Sequence, residues 1–408
     1  MEAMDINSIH DMLYALRDPA GLPFYPWAFF GVGILTWAMH FFAVALVLGG
    51  IAVALWGLHR NTPYWQRLAY AMANVSKIAV SAAIVLGVAP LLAVQVYYDP
   101  MWYTSNVLSA YWVIGFILIL IVAYSAHYVF YFRNKENPQR ARAIWSIIVA
   151  GAGYVLAGFI MHSLSYQTLS PEQWLNWYAP GGHIDNSGTR LHDFNLWRFG
   201  YWLALSVPIT GAYMMAYATY WSTRRDQDHA WLDFVYQLGA RWALWGSVMA
   251  AALLVAYFAS LPEKLSAYRS SIWALLWLAA TLLPGVIALR ARNRAFRCGY
   301  RPVLGATLGM LLVAIGREMV RYYAIIPYYD FMDYKVNLDW FTTGVFGFTF
   351  LVLGASTLGY LLTVAWKAGK TEGVYQASDT MHLWGRFNLV LIIFWTLGYF
   401  GLMAIRTF

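Results

Sequence analysis

Ten long apolar segments, separated by short polar loops, constrain the fold of this chain more than any other feature. The hydrocarbon core of a bilayer is ~30 Å thick and requires ~20 apolar residues per helix. Hydrophobic residues make up 61% of the chain and charged residues 11%, far from the balance of a soluble domain. We therefore predict an all-α, polytopic membrane helix bundle with about ten transmembrane helices. The segments cover residues 24–58, 68–98, 107–132, 142–167, 197–221, 231–259, 271–290, 302–326, 338–366 and 383–405.

The lengths of the loops indicate how the chain is organised. The longest loop, residues 168–196, has fewer than 30 residues, so we expect no separate soluble domain. Residues 1–23 form a polar and amphipathic segment without the pattern of a cleavable signal peptide, and we expect it to lie along the membrane surface. The predicted organisation is this surface segment, a bundle of nine helices over residues 24–366, and an additional C-terminal helix within residues 367–408.

Lysine and arginine mark one side of the predicted bundle. They concentrate in the loops after the first, third, fifth, seventh and ninth segments, whereas the other loops contain only scattered basic residues. Because cytoplasmic loops are enriched in Lys and Arg, we expect both termini to face outward from the inner (cytoplasmic) membrane. The net charge of +8 then reflects topology rather than nucleic-acid binding. The loop after the seventh segment contains Arg290, Arg292, Arg294, Arg297 and Arg301.

One histidine lies near the middle of the first apolar segment. His40 stands in the run Met39-His40-Phe41-Phe42-Ala43-Val44-Ala45-Leu46-Val47-Leu48-Gly49-Gly50. A neutral imidazole at this depth has no water to satisfy its nitrogens, so it needs a hydrogen-bond partner or a metal. Haem iron is a common reason to place histidine among apolar and aromatic side chains. We therefore expect His40 to bind the iron of a haem.

Three further histidines lie in or beside the predicted helices. At ~1.5 Å per residue, His162 lies near the outer end of its segment and His127 near the cytoplasmic end, and His382 is also cytoplasmic. His127 and His382 could share one haem on the inner side, while His162 could bridge from His40 towards the outer surface. The alternative for each ring is a hydrogen bond to a backbone carbonyl or another side chain.

Several short phrases occur in the order found in a known membrane family. With matching topology over roughly residues 24–366, the chain resembles the catalytic subunit of the cytochrome bd quinol oxidases. The resemblance implies a bd-like fold, one or more b-type haems and a quinol-binding loop. The matching phrases are Met39–Gly50, Lys77–Tyr98, Thr210-Gly211-Ala212, Leu261–Arg269 and Gly316-Arg317-Glu318-Met319-Val320.

The resemblance also assigns roles to two basic residues. Arg317 matches the family arginine that binds a haem propionate, and an ion pair inside the helix is the alternative. Lys264, in the loop that resembles the start of the family's quinol loop, could meet a propionate, a quinone or only water. Charged residues inside membrane helices are costly, which makes Arg317 and its neighbour Glu318 informative.

At other positions this chain departs from the family. Trp202 stands where the family has its second haem histidine, and Ala314 where it has a carboxylate ligand. The paired glutamates that carry protons fall near Gly115 and Ala123. Glycine and alanine cannot transfer protons to reduced oxygen. We therefore expect that this chain does not reduce oxygen by the family mechanism.

Other candidate sites in the sequence are less specific. The single Cys298 excludes an intrachain disulfide and a multi-cysteine metal site. His183, Asp185, His192 and Asp193 form a polar set in one loop, but such pairs are common in solvated loops. Aromatic residues are dense in the outward loops at 97–106, 168–196 and 260–270, which indicates either anchoring at the headgroups or a docking surface.

Two functions of different classes remain open. The first is a haem b-containing membrane electron-transfer subunit of a respiratory oxidoreductase complex, linking the quinone pool to a partner cytochrome. Its partners would be lipid, other membrane subunits and a c-type cytochrome or similar redox protein on the outer face, with a quinol as a further ligand. The second is a haem-poor structural subunit of such a complex. A divergent quinol oxidase is the remaining alternative.

Overall fold

The computed structural model describes residues 5–135 and 143–407, and these residues form an all-α bundle. Each of the ten predicted segments is helical, with ends displaced by a few residues at most. The long helices are α2 (Pro26–Arg60), α3 (Pro63–Tyr97), α5 (Ala110–Asn134), α6 (Ile144–Gln167), α8 (Leu196–Trp221), α9 (His229–Ala259), α11 (Ile272–Ala291), α12 (Tyr300–Ile325), α14 (Ala355–Lys370) and α15 (Asp379–Thr407).

Short helices complete the fold. They are α1 (Ile6–Ala15), α4 (Asp99–Leu108), α7 (Trp174–Tyr178), α10 (Ser266–Arg269) and α13 (Trp340–Gly347), and a π-helical stretch, Phe348–Gly354, joins α13 to α14.

Among the described residues, nine helical spans are long and apolar enough to cross a bilayer, which makes this a multi-pass membrane protein. The remaining long helix, α8, falls outside this group, yet most of its residues are buried and it packs against α9, α2 and α12. Its neighbours are therefore protein rather than lipid. A helix in that position tolerates polar residues, because other helices satisfy them.

Small residues allow the central helices to approach each other closely. A side chain at Gly50 of α2 would lie 2.9 Å from the Ser76 hydroxyl of α3, and one at Gly49 would overlap Thr210 of α8. Ser76 donates to the carbonyl of Val47 at 2.6 Å. Close backbone contact between small residues, with hydroxyl groups bridging the helices, is typical of membrane bundles. The Gly49-Gly50 pair thus places α2 against two helices at once.

The C-terminal helices lie at the edge of the bundle. Their apolar spans are almost entirely unburied within the chain, so their surfaces are available to lipid. The Tyr220 hydroxyl at the end of α8 donates to the carbonyl of Trp366 at 2.8 Å, and Arg224 donates to the carbonyl of Gly369 at 3.2 Å. These contacts attach the end of α14 to α8.

A polar cap covers one end of the bundle. Ile9 and Leu13 of α1 are buried, and Asp99 at the start of α4 accepts hydrogen bonds from Tyr334 at 2.9 Å and Tyr329 at 3.4 Å. Burial raises the pKa of Asp99, although the bond from Tyr334 acts in the opposite direction. We call this the outer end, following the sequence-predicted orientation. That α1 lies along the membrane surface stays a prediction.

Candidate functional site

A cavity of about 460 Å³ lies between α2, α3, α6, α8 and α12. It extends from the interior of the bundle to the last residues of α3 and α6, at the outer end. The volume is within the ~300–1,000 Å³ typical of cofactor sites, which are mostly apolar with a few polar groups. The polar and charged residues that line it include His40, His162, Arg198, Arg317, Glu318 and Arg321.

His40 on α2 lines this cavity with one ring nitrogen engaged. Its Nδ1 lies 2.8 Å from the carbonyl oxygen of Ala83 on α3. A carbonyl only accepts hydrogen bonds, so Nδ1 carries the proton and Nε2 of the neutral ring carries the lone pair. A hydrogen bond on the opposite nitrogen is the usual support of a metal-binding histidine. The ring is therefore held in the tautomer that binds a metal through Nε2.

The contact between His40 and α3 depends on Gly87. A Cβ atom at this position would lie 2.9 Å from Cε1 and from Nδ1 of the His40 ring, closer than real Cβ contacts allow. The local sequence of α3 thus leaves room for the imidazole.

His162 on α6 lines the same cavity in a different hydrogen-bonding state. Its ring is buried beside the rings of Phe199, Tyr166 and Phe159, with centroids 5.4, 6.0 and 6.3 Å away. The backbone N–H of Asn195 donates to Nε2 at 3.3 Å. In a neutral ring the proton then resides on Nδ1, which has no hydrogen-bond partner among the described residues.

The cavity contains more positive than negative charge. Glu318 accepts hydrogen bonds from Arg317 at 2.8 Å and from Arg321 at 2.9 Å. The ion pair considered for Arg317 is therefore present, but one carboxylate serves two arginines. Arg198 brings a third guanidinium, whose Nε and Nη1 atoms have no partner among the described residues. Three arginines and one glutamate among the lining residues give a formal charge of +2.

Aromatic side chains form one wall of the cavity. The Arg317 guanidinium lies 4.5 Å from the ring centre of Trp37, and Trp37 and Trp202 meet edge to face at 5.3 Å. Trp202 also stacks on Trp277 at 5.7 Å. The indole of Trp202 therefore occupies the position where the resemblance suggests a haem histidine. Its ring packs against α2 through Trp37 and against α11 through Trp277.

The structure does not bring His127 or His382 to this cavity. His127 is fully buried in a packed cluster with Ala126 and Phe130, and its Nε2 donates to the carbonyl of Ala73 at 3.1 Å. His382 is exposed at the start of α15. A haem shared by His127 and His382 stays a prediction from the sequence.

Lys264 is not among the residues that line the cavity. Its ammonium group donates to the carbonyl of Leu169 at 2.8 Å and to the Glu172 carboxylate at 2.5 Å. The Lys264 and Glu172 side chains are 30% and 26% exposed. The ammonium group of Lys264 is therefore engaged in an ion pair within the loops at the outer end.

The polar set in the loop between α7 and α8 has structural partners. His192 stacks on Trp177 at 5.3 Å, and its Nε2 donates to the carbonyl of Leu108 at 3.2 Å. Burial lowers the pKa of His192 and raises that of Asp193. Within residues 5–135 and 143–407, no cluster of three or more His, Cys, Asp or Glu side chains is placed to hold a metal ion.

Ala314, Ala123 and Gly115, where the resemblance suggests carboxylates, differ in their surroundings. Ala314 on α12 and Ala123 on α5 are both buried. A Cβ atom added at Gly153 of α6 would lie 2.7 Å from the Cβ atom of Ala123. Gly115 has no neighbour within 4 Å of an added Cβ among the described residues. These positions carry no group that can move a proton.

Sequence reasoning missed Arg198 as a site residue. A charged residue in the first turn of an apolar segment is usually assigned to the membrane interface, where long side chains reach water. Arg198 instead points inward and is 5% exposed. The available signal was a charge on α8, the long helix that lies outside the group of nine apolar spans.

Comparisons with known proteins support the fold. No family model matches the sequence, and a search of the curated proteins found no match. Among solved structures, a chain of bd oxidase from Geobacillus thermodenitrificans is similar, with a TM-score of 0.57 and 14% sequence identity. The match covers 90% of this chain and 99% of that chain. The protein therefore has a bd oxidase-like helical fold, and at this identity the similarity extends to the fold alone.

Proposed function

We propose that this chain binds haem b in the cavity, where Nε2 of His40 would hold the iron. The observation that carries the proposal is the state of His40. Its Nδ1–H bond to Ala83 leaves the Nε2 lone pair on a ring that lines a cavity of cofactor size. An axial imidazole with its other nitrogen on a carbonyl is common in metal sites.

The charge of the cavity fits the same group. Haem b carries two propionate carboxylates, and the lining residues carry a formal charge of +2. Buried charges require partners, so an anionic ligand relieves the excess of Arg198, Arg317 and Arg321 over Glu318. Trp37 and Trp202 provide flat apolar surface for a porphyrin. The bd oxidase name of the similar structure agrees with a haem but does not carry the proposal.

The function proposed from this site is electron transfer within a respiratory oxidoreductase complex. When bound, haem supplies a one-electron redox centre. The only carboxylate among the cavity-lining residues, Glu318, already accepts hydrogen bonds from two arginines. The side chains of Ala314 and Ala123 contain no group that can transfer a proton. Electron exchange between a quinone and a partner cytochrome therefore suits the site better than oxygen reduction.

The proposed docking side is the outer end. The cavity reaches Tyr98 and Trp102 near the start of the loop at 97–106, and Thr168 at the start of the loop at 168–196. A redox partner at these loops would lie near the cofactor. A c-type cytochrome or similar protein is the proposed partner, beside lipid and other membrane subunits.

The first test is a reduced-minus-oxidised visible spectrum, with pyridine haemochrome and iron analysis, on the purified chain. We expect at least one haem b per chain. A preparation without haem, from cells supplied with haem precursor, would contradict the proposal and favour the structural-subunit alternative. We expect no rapid oxygen uptake with a reduced quinol on haem-loaded protein, and brisk turnover without partner subunits would show an oxidase.

Cross-linking of the native complex tests the docking side. We expect cross-links from the loops at 97–106, 168–196 and 260–270 to a redox protein. Cross-links confined to the basic loops, such as residues 290–301, would place the partner at the opposite end and contradict the proposed electron path.

A further inference from the structure

Among the described residues, Arg198 is a buried cation without a carboxylate partner. It stands in the first turn of α8, is 5% exposed and lines the cavity. Its backbone N–H is bound by the Asn195 side chain, which caps the helix, but the Nε and Nη1 atoms of its guanidinium have no partner among the described residues. The ring of Tyr166 lies 5.5 Å away. Ring contact alone does not replace the hydrogen bonds of a buried guanidinium.

The unpaired polar atoms near this end of the cavity are mainly hydrogen-bond donors. Besides Arg198, the Nδ1–H of His162 and the hydroxyls of Tyr98 and Ser165 have no partner within the described part of the chain, and all four residues line the cavity. The two oxygens of Glu318 already accept from Arg317 and Arg321. The excess is therefore of donors, and the missing complement is an acceptor with negative charge.

We propose that Arg198 and His162 form a carboxylate-binding subsite at the outer end of the cavity. The guanidinium presents N–H groups in a planar fork that matches a carboxylate, and the imidazole Nδ1–H adds a third donor. Resting on the haem proposed above, this subsite takes one of the two propionates. His162 then acts as a positioning donor and not as an iron ligand.

The tautomer of His162 supports this role. With Nε2 accepting the N–H of Asn195, coordination of iron through Nδ1 would require both ring nitrogens to lack a proton. Neutral imidazole carries one proton, so donation from Nδ1 is the state that agrees with the hydrogen bond. His40 shows the opposite arrangement, with its carbonyl partner on Nδ1.

The subsite predicts effects of opposite sign for one substitution. In the protein without cofactor, Arg198→Gln removes an uncompensated buried charge, so its thermal unfolding midpoint should be equal to or above that of wild type. In the loaded protein, the same change removes charge-assisted hydrogen bonds and should weaken retention of the cofactor. A purely structural role of Arg198 would lower stability in both states.

Metal-free porphyrins separate the subsite from iron coordination. The probes are protoporphyrin IX and its dimethyl ester, which lacks the carboxylates, and binding is followed by quenching of tryptophan fluorescence in the full-length, haem-depleted chain. We expect wild type to prefer the diacid by about tenfold or more, since charge-assisted bonds have that magnitude. Arg198→Gln should lose most of the preference, Arg198→Lys should keep part of it, and the exposed control Arg241→Gln should keep all of it.

The outcomes distinguish this inference from the proposed function. Diacid preference that depends on Arg198, in a chain that binds no iron porphyrin, would overturn haem ligation by His40 but support the subsite. Haem binding with equal diacid preference in wild type and Arg198→Gln would overturn the subsite alone. Protection from unfolding by succinate or inorganic phosphate, absent in Arg198→Gln, would assign the site to a free anion and overturn the propionate assignment.

A second variant tests His162 directly. His162→Phe should lower the diacid preference and leave the absorption bands and the spin state of the haem iron unchanged. A change of iron coordination in His162→Phe would show that this histidine is an axial ligand and would overturn the proposed donor role.

Discussion

Two buried histidines, His40 and His127, are alike in sequence context and different in surroundings. Each stands on a long apolar helix, and each donates to a carbonyl of α3, Ala83 for His40 and Ala73 for His127. His127 is fully buried beside a packed apolar cluster that includes Ala126, Phe130 and Tyr154. His40 lies on the wall of a cavity that also contains Arg317 and Glu318.

The difference shows what makes a buried histidine a ligand candidate. Burial and a satisfied carbonyl bond are common to both rings, so neither identifies a metal site. Of these two rings, His40 is the one that lines a cavity, and that cavity contains a charge without a partner among the described residues. Protein interiors are normally close-packed, and a cavity with excess charge is therefore the more informative observation.

The largest expected effect is the loss of haem on removal of His40. His40→Ala deletes the proposed axial ligand and should remove at least one haem per chain, measured by pyridine haemochrome on purified protein. His127→Ala is the matched control and should retain that haem, while losing ~1–3 kcal/mol of unfolding free energy because a buried hydrogen bond and buried packing are lost. Unchanged haem content in His40→Ala would contradict the proposal, and haem loss in His127→Ala would reveal a second site on the inner side.

The next effect concerns the charge balance of the cavity. Glu318→Gln leaves Arg317 and Arg321 without their carboxylate, and breaking a buried ion pair in this way costs ~3–5 kcal/mol. We expect a matching fall in the free energy of unfolding in denaturant, for the haem-depleted protein. A double variant with Arg198→Gln should recover part of the loss. Wild-type stability in Glu318→Gln would show that solvent already screens these charges.

The fold was more predictable from the sequence than the site. Apolarity and length are summed over ~20 residues per span, so each of the ten segments was recognisable alone. Counting residues along a helix gave the depth of His40 and His162 in the predicted membrane. It does not indicate which way a side chain faces or which helix packs against it. The pairing of His127 with His382 was inferred from depth alone, and the structure does not place either residue at the cavity. Arg198 was missed for the same reason.

Gly87 and Gly153 offer a smaller and more selective test of the same comparison. A Cβ atom added at Gly87 would lie 2.9 Å from the His40 ring, and one added at Gly153 would lie 2.7 Å from the Cβ atom of Ala123. Each Gly→Ala change overpacks its contact and should cost ~1–3 kcal/mol. Only Gly87→Ala should also shift the haem absorption bands, because it displaces the ring that binds iron. Equal spectra in the two variants would indicate that His40 is not a ligand.

The smallest effect is expected at Lys264, where the resemblance suggested contact with a propionate or a quinone. The structure engages its ammonium with Glu172 and the carbonyl of Leu169, and both side chains of the ion pair are about one-quarter to one-third exposed. Partly exposed ion pairs contribute ~0–1 kcal/mol, so Lys264→Met should change unfolding free energy by no more than that. Haem content and the diacid preference should equal those of wild type, in contrast to Arg198→Gln. A loss of haem in Lys264→Met would show that the cofactor site extends beyond the cavity into the outer loops. It would also weaken the argument that the buried cation Arg198, and not the partly exposed Lys264, binds the carboxylate.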